Sequence, residues 1–316
     1  KRMDLDKYAK LPTVTAIFDH YEKTRKNGNR PHLGGSQIGK DCDRAIWYSF
    51  RWAWAEPIEG RICRLFETGD LEETRLIKNL RDVGCTVWDR DPETGRQVHF
   101  TAHGGHFGIS LDGVIEGLRE SAQPHVLEFK TMNDKNFKAC SARGVELTQP
   151  VYWVQVQVGM HLSGLKRALF MAVNKNTDEI YGERIKYDEA VALKAMARAE
   201  SIIFSDTPPG KIGPDESFWG CKFCSFVNVC HRGQLPDVNC RTCAHSTAEQ
   251  DGTWSCARHG ETAPGQLGCD DHIWNNHIMP WEVSDAGDDW IEYTTEHGEV
   301  IRNHPGTSKE LKARGV

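Results

Sequence analysis

Two segments in the middle of the chain, residues 108–115 and 126–130, alternate between apolar and polar positions. This alternation is typical of half-buried strands, and the short spacing lets the two strands pair as neighbours. In the second strand Glu128 and Lys130 are two residues apart, so both side chains point to the same face. With Asp112 on the first strand, two carboxylates and an ammonium are predicted to converge on one spot.

Carboxylate oxygens suit Mg²⁺ or Mn²⁺, and a cation with few protein ligands stays open to phosphate oxygens and water. A lysine beside such a cation can orient or deprotonate that water. Taken alone, an acid and a lysine on one strand face are more often a solvated salt bridge, because exposed charge pairs are common. The neighbouring sequence has to decide between these two interpretations.

The apolar periodicity outside this pair predicts the rest of the fold. It indicates helices over residues 11–30, 38–50, 62–84, 150–164 and 188–204, and strands within 86–116, 168–174 and 180–186. Helices that alternate with strands in this way predict an α/β fold, with a mixed central sheet flanked by helices.

The chain changes character after Pro208-Pro209-Gly210, where short segments rich in Cys, Gly and Trp follow. We expect a large α/β domain over residues 1–235, a small Cys-rich metal-binding module over 236–282 and a charged, weakly patterned tail over 283–316. No apolar run approaches the ~18 residues of a membrane span, and the first residues do not resemble a signal peptide. The net charge of -6 gives no global attraction to nucleic acid but leaves room for a local basic groove.

Seven of the eleven cysteines lie within residues 221–269. Without a secretion signal, two CxxC pairs this close indicate metal ligation rather than a disulfide framework. Closed thiolate sites usually take four cysteines, and Cys42 supplies an eighth. The favoured partition places a 4Fe-4S cluster on Cys42, Cys221, Cys224 and Cys230 and Zn²⁺ on Cys240, Cys243, Cys256 and Cys269. Spacing alone does not decide which metal occupies which set, and His245, His259 and His272 are nearby substitutes if one cysteine is not a ligand.

Four motifs in this order resemble the PD-(D/E)xK nuclease superfamily, in particular its lambda-exonuclease-like (YqaJ) branch. They are the helix of residues 69–73, the Gly108-x-Ser110-x-Asp112-Gly113 strand, Glu128-Phe129-Lys130 and the Tyr152-x-x-Gln155-x-Gln157 helix. The resemblance covers about residues 33–232 and implies a restriction-endonuclease-like fold.

The resemblance also implies roles for individual residues. Asp112, Glu128 and the backbone carbonyl of Phe129 would bind the catalytic Mg²⁺, with Glu73 ligating directly or through water. Asp70 is the other acid of this motif that could serve in place of Glu73. Glu72 is a further alternative, because the phase of a predicted helix does not separate adjacent residues.

Lys130 would position or activate the attacking water in this scheme. Gln157 would reach toward the site, with Gln155 as a further candidate. Phosphate contacts are expected from side chains that flank the motifs, namely Ser36, Arg44, Lys135 and Lys138.

The cysteine frame is similar to that of the iron-sulfur nucleases, which include CRISPR-associated and RecB-type exonucleases. In that branch one cysteine precedes the nuclease core and three follow it, as Cys42 and the set Cys221, Cys224 and Cys230 do here. The tail after Cys240 matches neither pattern, so zinc binding there is predicted from spacing alone.

These resemblances imply a Mg²⁺-dependent DNA exonuclease that acts on DNA ends in recombination or repair. The expected setting is the bacterial cytoplasm during phage infection, with a phage-encoded enzyme and a single-strand annealing protein as partner. The alternatives are an endonuclease with the same centre, or a non-catalytic DNA-binding module. Cleavage polarity, strand preference and oligomeric state stay open at this level.

Overall fold

The computed structural model describes residues 11–24, 29–262 and 267–315. Its helices are α1 (Pro12–Thr24), α2 (Asp43–Phe50), α3 (Gly60–Asp82), α4 (Asp134–Arg143), α5 (Val145–Thr148), α6 (Pro150–Ser163), α7 (Glu189–Ile203), α8 (Val227–His231) and α9 (Ser308–Arg314). Its strands are β1 (Leu33–Gly34), β2 (Thr86–Trp88), β3 (His99–Ala102), β4 (Phe107–Ser110), β5 (Gly113–Glu116), β6 (His125–Met132), β7 (Arg167–Asn174), β8 (Ile180–Lys186), β9 (Ser246–Ala248), β10 (Trp254–Cys256), β11 (Gly260–Thr262), β12 (Glu282–Gly287), β13 (Trp290–Thr294) and β14 (Val300–Asn303).

A five-stranded mixed sheet in the order β2-β5-β6-β7-β8 forms the centre of the fold. Its β6 and β7 run parallel, while the other neighbours pair antiparallel. A parallel pair requires a crossover, and helices α4, α5 and α6 supply it between β6 and β7. The predicted pairing of the Asp112 and Glu128 segments is present, with Gly113 opposite Leu127.

Helices cover both faces of this sheet, which confirms the predicted α/β class with a mixed central sheet. On one face Leu76, Ile77 and Leu80 of α3 pack on Leu127 and Leu169. On the other face, residues of α4 and α6 pack on side chains of β6 and β7, among them Phe137, Val156, Met160, Val126 and Phe170. In β6 the alternation therefore leaves Glu128 and Lys130 on the opposite side of the strand from Leu127.

Helix α2 begins later than the sequence predicts. Residues Leu33 and Gly34 form strand β1 and pair with Phe107 and Gly108 of β4. A turn follows, in which the Gln37 amide donates to the Gly34 carbonyl at 2.9 Å. The helix starts after Cys42, whose Sγ accepts a hydrogen bond from the Ala45 amide at 3.3 Å. The predicted end of α1 at residues 25–28 lies outside the described residues.

The charged, weakly patterned end of the chain carries regular secondary structure. Strands β12, β13 and β14 form an antiparallel sheet, and α9 follows. Tyr293, Ile301 and Leu311 from these elements join the hydrophobic core that also contains Trp47. The sequence pattern is weak because every residue of β12 is exposed, so that strand carries no apolar alternation. Within the described part of the chain, no helix is both long and apolar enough to span a bilayer.

The Cys-rich module is attached to the amino-terminal part of the chain by buried polar groups. Arg241 is 3% exposed and donates to the Phe50 carbonyl at 2.8 Å, and its guanidinium lies 3.9 Å from the centre of the Trp52 ring. Asn239 donates to the Trp52 carbonyl at 3.0 Å. These contacts fix residues 50–52 against the module.

His272 makes this module sensitive to acid. Its side chain is 1% exposed, lies 2.9 Å from Ser308 Oγ and 3.2 Å from Thr242 Oγ1, and burial lowers its pKa to about 4. The unfolded chain takes up a proton near pH 6.5, whereas the folded chain does so only near pH 4, so stability is full above pH 6.5 and falls between these values. The loss is on the order of 3 kcal/mol at most, at 1.36 kcal/mol per pKa unit.

We expect His272→Gln to flatten the fall of the urea midpoint between pH 7 and pH 5. The exposed His297 gives a matched control, since His297→Gln should leave the slope unchanged. Other buried histidines contribute to the slope as well, so the measured quantity is the difference between the two variants. Equal slopes in both would contradict this assignment.

Candidate functional site

Asp112 lies in the short connection between β4 and β5, and its carboxylate is anchored to the neighbouring strand. The Phe129 amide of β6 donates to Asp112 Oδ2 at 2.7 Å. Because Phe129 stands between Glu128 and Lys130, this bond holds the Asp112 carboxylate beside both of them. The structure thus brings together the three residues that the strand pattern predicts to converge.

Glu128 is the most deeply buried acid of the group, at 2% exposure. Its Oε1 accepts hydrogen bonds from Lys130 Nζ and, at 2.8 Å, from Gln155 Nε2 on α6. The Lys130 ammonium also lies 5.0 Å from the centre of the Tyr152 ring, on the first turn of α6. Helix α6 therefore orients the acid and the lysine through residues three positions apart, which share a helix face.

Of the α3 acids that line the cleft beside this site, Glu73 interacts with its charged groups. Its Oε1 accepts a hydrogen bond from Gln97 Nε2 at 3.2 Å, and it interacts electrostatically with Asp112 and Lys130. The neighbouring Glu72 forms an ion pair with Arg75 at 3.2 Å. The structure thus gives the two adjacent glutamates different partners, although both line the same cleft.

The electrostatics of the site are dominated by burial of negative charge. Burial raises the pKa of Glu73 to about 7, with a further contribution from Asp112. Burial likewise raises the pKa of Glu128 to about 7, although Lys130 acts in the opposite direction. The Asp112 pKa is raised by burial as well. Burial alone would lower the pKa of Lys130, but Glu128 and Asp112 outweigh it and the net shift is upward.

Three carboxylates thus share the Lys130 ammonium, and two of them, Glu73 and Asp112, line an open cleft of about 430 Å³ together with it. The side chains lining this cleft include Asp70, Glu73, Asp112, Lys130, Tyr152 and Lys175. A hard divalent cation fits this set, because it supplies the missing positive charge to oxygen ligands that burial otherwise drives toward protonation. Asp112, Glu128 and Glu73 are the side chains that would hold it.

Gln157 lies elsewhere, contrary to the role that the sequence resemblance implies. It is fully buried, donates to the Lys186 carbonyl at 3.1 Å and accepts from the Asp188 amide at 2.7 Å. Its amide thus joins α6 to the connection between β8 and α7, on the side of the helix away from Glu128. Residues two apart on a helix face different directions, so only one of Gln155 and Gln157 can reach the site.

Sequence reasoning gave no role here to Tyr152 or Gln97. The first could have been found from the Tyr152-x-x-Gln155 spacing, which places both residues on one helix face. Gln97 carries no such pattern, since it lies in a loop before β3.

The four residues predicted to contact phosphate are in different surroundings. Ser36 lines a polar cavity of about 360 Å³ together with Arg30, His32 and Lys40. Lys135 is exposed on α4. Lys138 forms an ion pair with Asp134 at 2.9 Å.

Arg44 is engaged inside the protein rather than free for phosphate. It donates to the Tyr48 hydroxyl at 3.0 Å and to the Pro209 carbonyl at 2.9 Å. Its guanidinium is part of the wall of a second cleft, which the cysteines surround.

That cleft is lined by all four cysteines assigned to the iron-sulfur set, Cys42, Cys221, Cys224 and Cys230. Its other walls are mainly apolar, with Arg44 and Lys211 as cations. Burial raises the pKa of the Cys230 thiol, whereas Arg44 and Lys211 lower it. Four thiols around an apolar cleft, with cations to balance thiolate charge, fit a 4Fe-4S cluster.

The second set of cysteines is less regular. The Cys243 thiol lies near those of Cys256 and Cys269, which raise its pKa in addition to burial. Among the described residues, however, the donor atoms that lie within 4.8 Å of one another in a group of three belong to His259, Cys269 and Asp271.

No protein-family model and no curated protein matches this sequence. Among solved structures, the chain is similar to that of a protein called SSO0001, with a TM-score of 0.40 and 14% identity over 69% of this chain and 96% of the other. It is also similar to an alkaline exonuclease (LHK-Exo) from Laribacter hongkongensis, with a TM-score of 0.39 and 15% identity over 58% of this chain and 90% of the other. A structure of LHK-Exo in complex with dAMP gives a TM-score of 0.38 and 15% identity over 60% and 90%.

Proposed function

We propose that this protein is a Mg²⁺-dependent DNA exonuclease that hydrolyses phosphodiester bonds at DNA ends. The observation that supports the proposal most directly is the group of Asp112, Lys130 and Glu73 at the wall of an open cleft, with the buried Glu128 bonded to Lys130. A module that only binds DNA does not require buried carboxylates with raised pKa values, whereas catalytic sites often contain them. By the motif resemblance, we place the enzyme in phage recombination or repair, beside a single-strand annealing protein.

In this proposal, Asp112, Glu128, Glu73 and the backbone carbonyl of Phe129 hold the cation. When bound, it supplies positive charge to the phosphate oxygens and to the leaving oxygen in the transition state. The net upward shift of the Lys130 pKa keeps this side chain an ammonium at neutral pH. Lys130 therefore acts as a donor, which orients the attacking water and offsets phosphate charge.

Gln155 and Tyr152 prepare this arrangement from α6. The amide of Gln155 fixes Glu128 Oε1, and the Tyr152 ring lies under the Lys130 ammonium. Two neighbours thus limit the rotamers of the acid and the lysine before substrate binds, which lowers the cost of reaching a reactive geometry.

Contacts to the DNA backbone are proposed for Ser36 and Lys135. The cavity at Ser36 combines a hydroxyl with the cationic side chains of Arg30 and Lys40, which suits a phosphate group. Lys135 is exposed on α4, the helix that directly follows β6. For Arg44 and Lys138 the contacts in the structure favour structural and surface ion-pair roles instead.

We further propose that the 4Fe-4S cluster on Cys42, Cys221, Cys224 and Cys230 is structural. It would join the start of α2 to the segment around α8, about two hundred residues away in the chain. A cross-link between such distant segments stabilises the fold and would form one wall of the DNA channel.

The catalytic proposal is tested with Asp112→Asn and Lys130→Met. Both should reduce Mg²⁺-dependent digestion of end-labelled linear DNA by about 100-fold or more, the usual cost of one charge-stabilising group. Glu116→Gln is the matched control, since Glu116 is an exposed acid at the end of β5. Unreduced activity in either site variant would contradict the proposed centre, and cutting of covalently closed circles would exclude the exonuclease assignment.

The roles of the two glutamines predict different defects. Gln155→Ala should lower kcat with a smaller loss of thermal midpoint, because Glu128 loses one partner but keeps Lys130. Gln157→Ala should mainly lower the thermal midpoint, since it removes a fully buried side chain and leaves a part-buried backbone amide and carbonyl without this partner, at about 1–3 kcal/mol. Steady-state kinetics and thermal melts of both proteins check this, and the reversed pattern would contradict the assignment.

Cys42→Ser should lower the iron content and the visible absorbance of anaerobically purified protein. We expect a lower thermal midpoint with it, and activity lost in proportion to unfolding rather than to chemistry. Cys85→Ser is the control, because Cys85 lies away from the cleft with its thiol 3.6 Å from the Gly117 carbonyl. Full iron content in Cys42→Ser would remove Cys42 from the cluster.

A further inference from the structure

The turn after β10 and the loop that leads to His272 bring three different donor groups together. Cys269 Sγ lies 3.8 Å from His259 Nε2, and His259 Nε2 lies 3.0 Å from Asp271 Oδ2. In the described part of the chain, these three donor atoms form the group in which all lie within 4.8 Å of one another. The residues come from two separate segments, so folding rather than sequence proximity assembles them.

The distances match those between ligands of one metal ion. Tetrahedral zinc with bonds of about 2.3 Å to sulfur and about 2.0–2.1 Å to nitrogen places these two ligands about 3.6 Å apart. The 3.8 Å between Cys269 Sγ and His259 Nε2 is close to this value. His259 Nε2 carries at most one proton and can donate it to only one of Cys269 and Asp271. A metal ion could bind all three groups.

Two more thiols, those of Cys256 and Cys243, belong to the same part of the module. Cys256 ends β10 three residues before His259, and its backbone pairs with Ser246 of β9. Cys243 is 7% exposed, and its thiol interacts electrostatically with the thiols of Cys256 and Cys269. Among the described residues, Cys243 and Cys256 lie outside the group of donors within 4.8 Å of one another, and a bound ion would draw their thiols toward Cys269 and His259. In addition, His245 interacts electrostatically with Asp271 and His259. Its Nε2 is buried without a hydrogen-bond partner, which is uncommon for a buried polar atom.

We propose that the Cys-rich module binds one Zn²⁺ through Cys243, Cys256, Cys269 and His259, with Asp271 beside the histidine. Thiolate and imidazole ligands together favour zinc over magnesium or calcium. This set differs from the four-cysteine site predicted from spacing, because His259 takes the place of Cys240. The ion fastens the loop of residues 267–271 to the β9–β10 hairpin, directly before the buried His272 and Trp274.

Zinc-edge X-ray absorption of the full-length protein tests the ligand set directly. We expect one zinc per chain with three sulfur neighbours at about 2.3 Å and one nitrogen at about 2.0–2.1 Å. His259→Cys should keep the ion and change its surroundings to four sulfur atoms. A wild-type spectrum with four sulfur atoms, or protein purified with zinc present that holds none, would overturn the proposal.

Zinc affinity, measured by competition with a chelating dye, gives a second test. His259→Ala and Cys269→Ser should weaken binding by more than about tenfold, since losing an outer partner of a ligand alone costs that much. Cys240→Ser and His297→Ala should stay within twofold of the wild type. Zinc loss in Cys240→Ser with retention in His259→Ala would restore the four-cysteine site. Neither test involves DNA, so a failure here is distinct from a failure of the proposed nuclease.

Discussion

The buried guanidinium of Arg241 is the contact on which the arrangement of the chain's distant parts depends. It donates to the Phe50 carbonyl and lies among the rings of Phe50, Trp52 and Trp254, at 5.0, 3.9 and 4.7 Å. Burial lowers its pKa to about 9, with Arg51 adding to the effect, so the charge is held at a cost. The carbonyl and the aromatic faces offset that cost. Removing them would leave a buried cation without partners, so the module and residues 50–52 are tied to one geometry.

The attachment through Arg241 connects the Cys-rich module with the helix that Cys42 caps. Residues 50–52 follow directly on α2, which starts at Cys42, and Trp47 of the same helix donates to the Ser205 carbonyl at 2.8 Å. Contacts of α2 with Ser205, and of the residues that follow it with the Cys-rich module, therefore hold Cys42 in place independently of a cluster. In the central sheet, β6 carries Glu128 and Lys130, and the flanking helices α3 and α6 provide Glu73 and Gln155. A rigid sheet flanked by packed helices is the kind of scaffold that holds side chains to the tolerance catalysis requires.

Much of the fold and of the candidate site could be predicted from local pattern. The pairing of the Asp112 and Glu128 strands and the long α3 follow from periodicity, because burial on one face leaves a period of two or 3.6 in the sequence. The folded end of the chain could not be predicted, since β12 is exposed and the buried Tyr293 and Ile301 depend on a distant core. The same holds for α2, whose start is displaced by the pairing of Leu33 with Phe107.

The sequence by itself determined which chemical groups the site contains: two acids and a lysine on adjacent strands, with an acidic helix before them and thiols after them. Only the tertiary structure decided the partners of each neighbouring pair. It gave Glu73 rather than Glu72 the contact with Gln97, gave Gln155 rather than Gln157 the contact with Glu128, and placed a histidine next to Cys269. The physical reason is that the spacing of apolar residues specifies which face of a helix or strand a side chain lies on. Its hydrogen-bond partner comes from a distant segment of the chain, and only tertiary packing brings the two together.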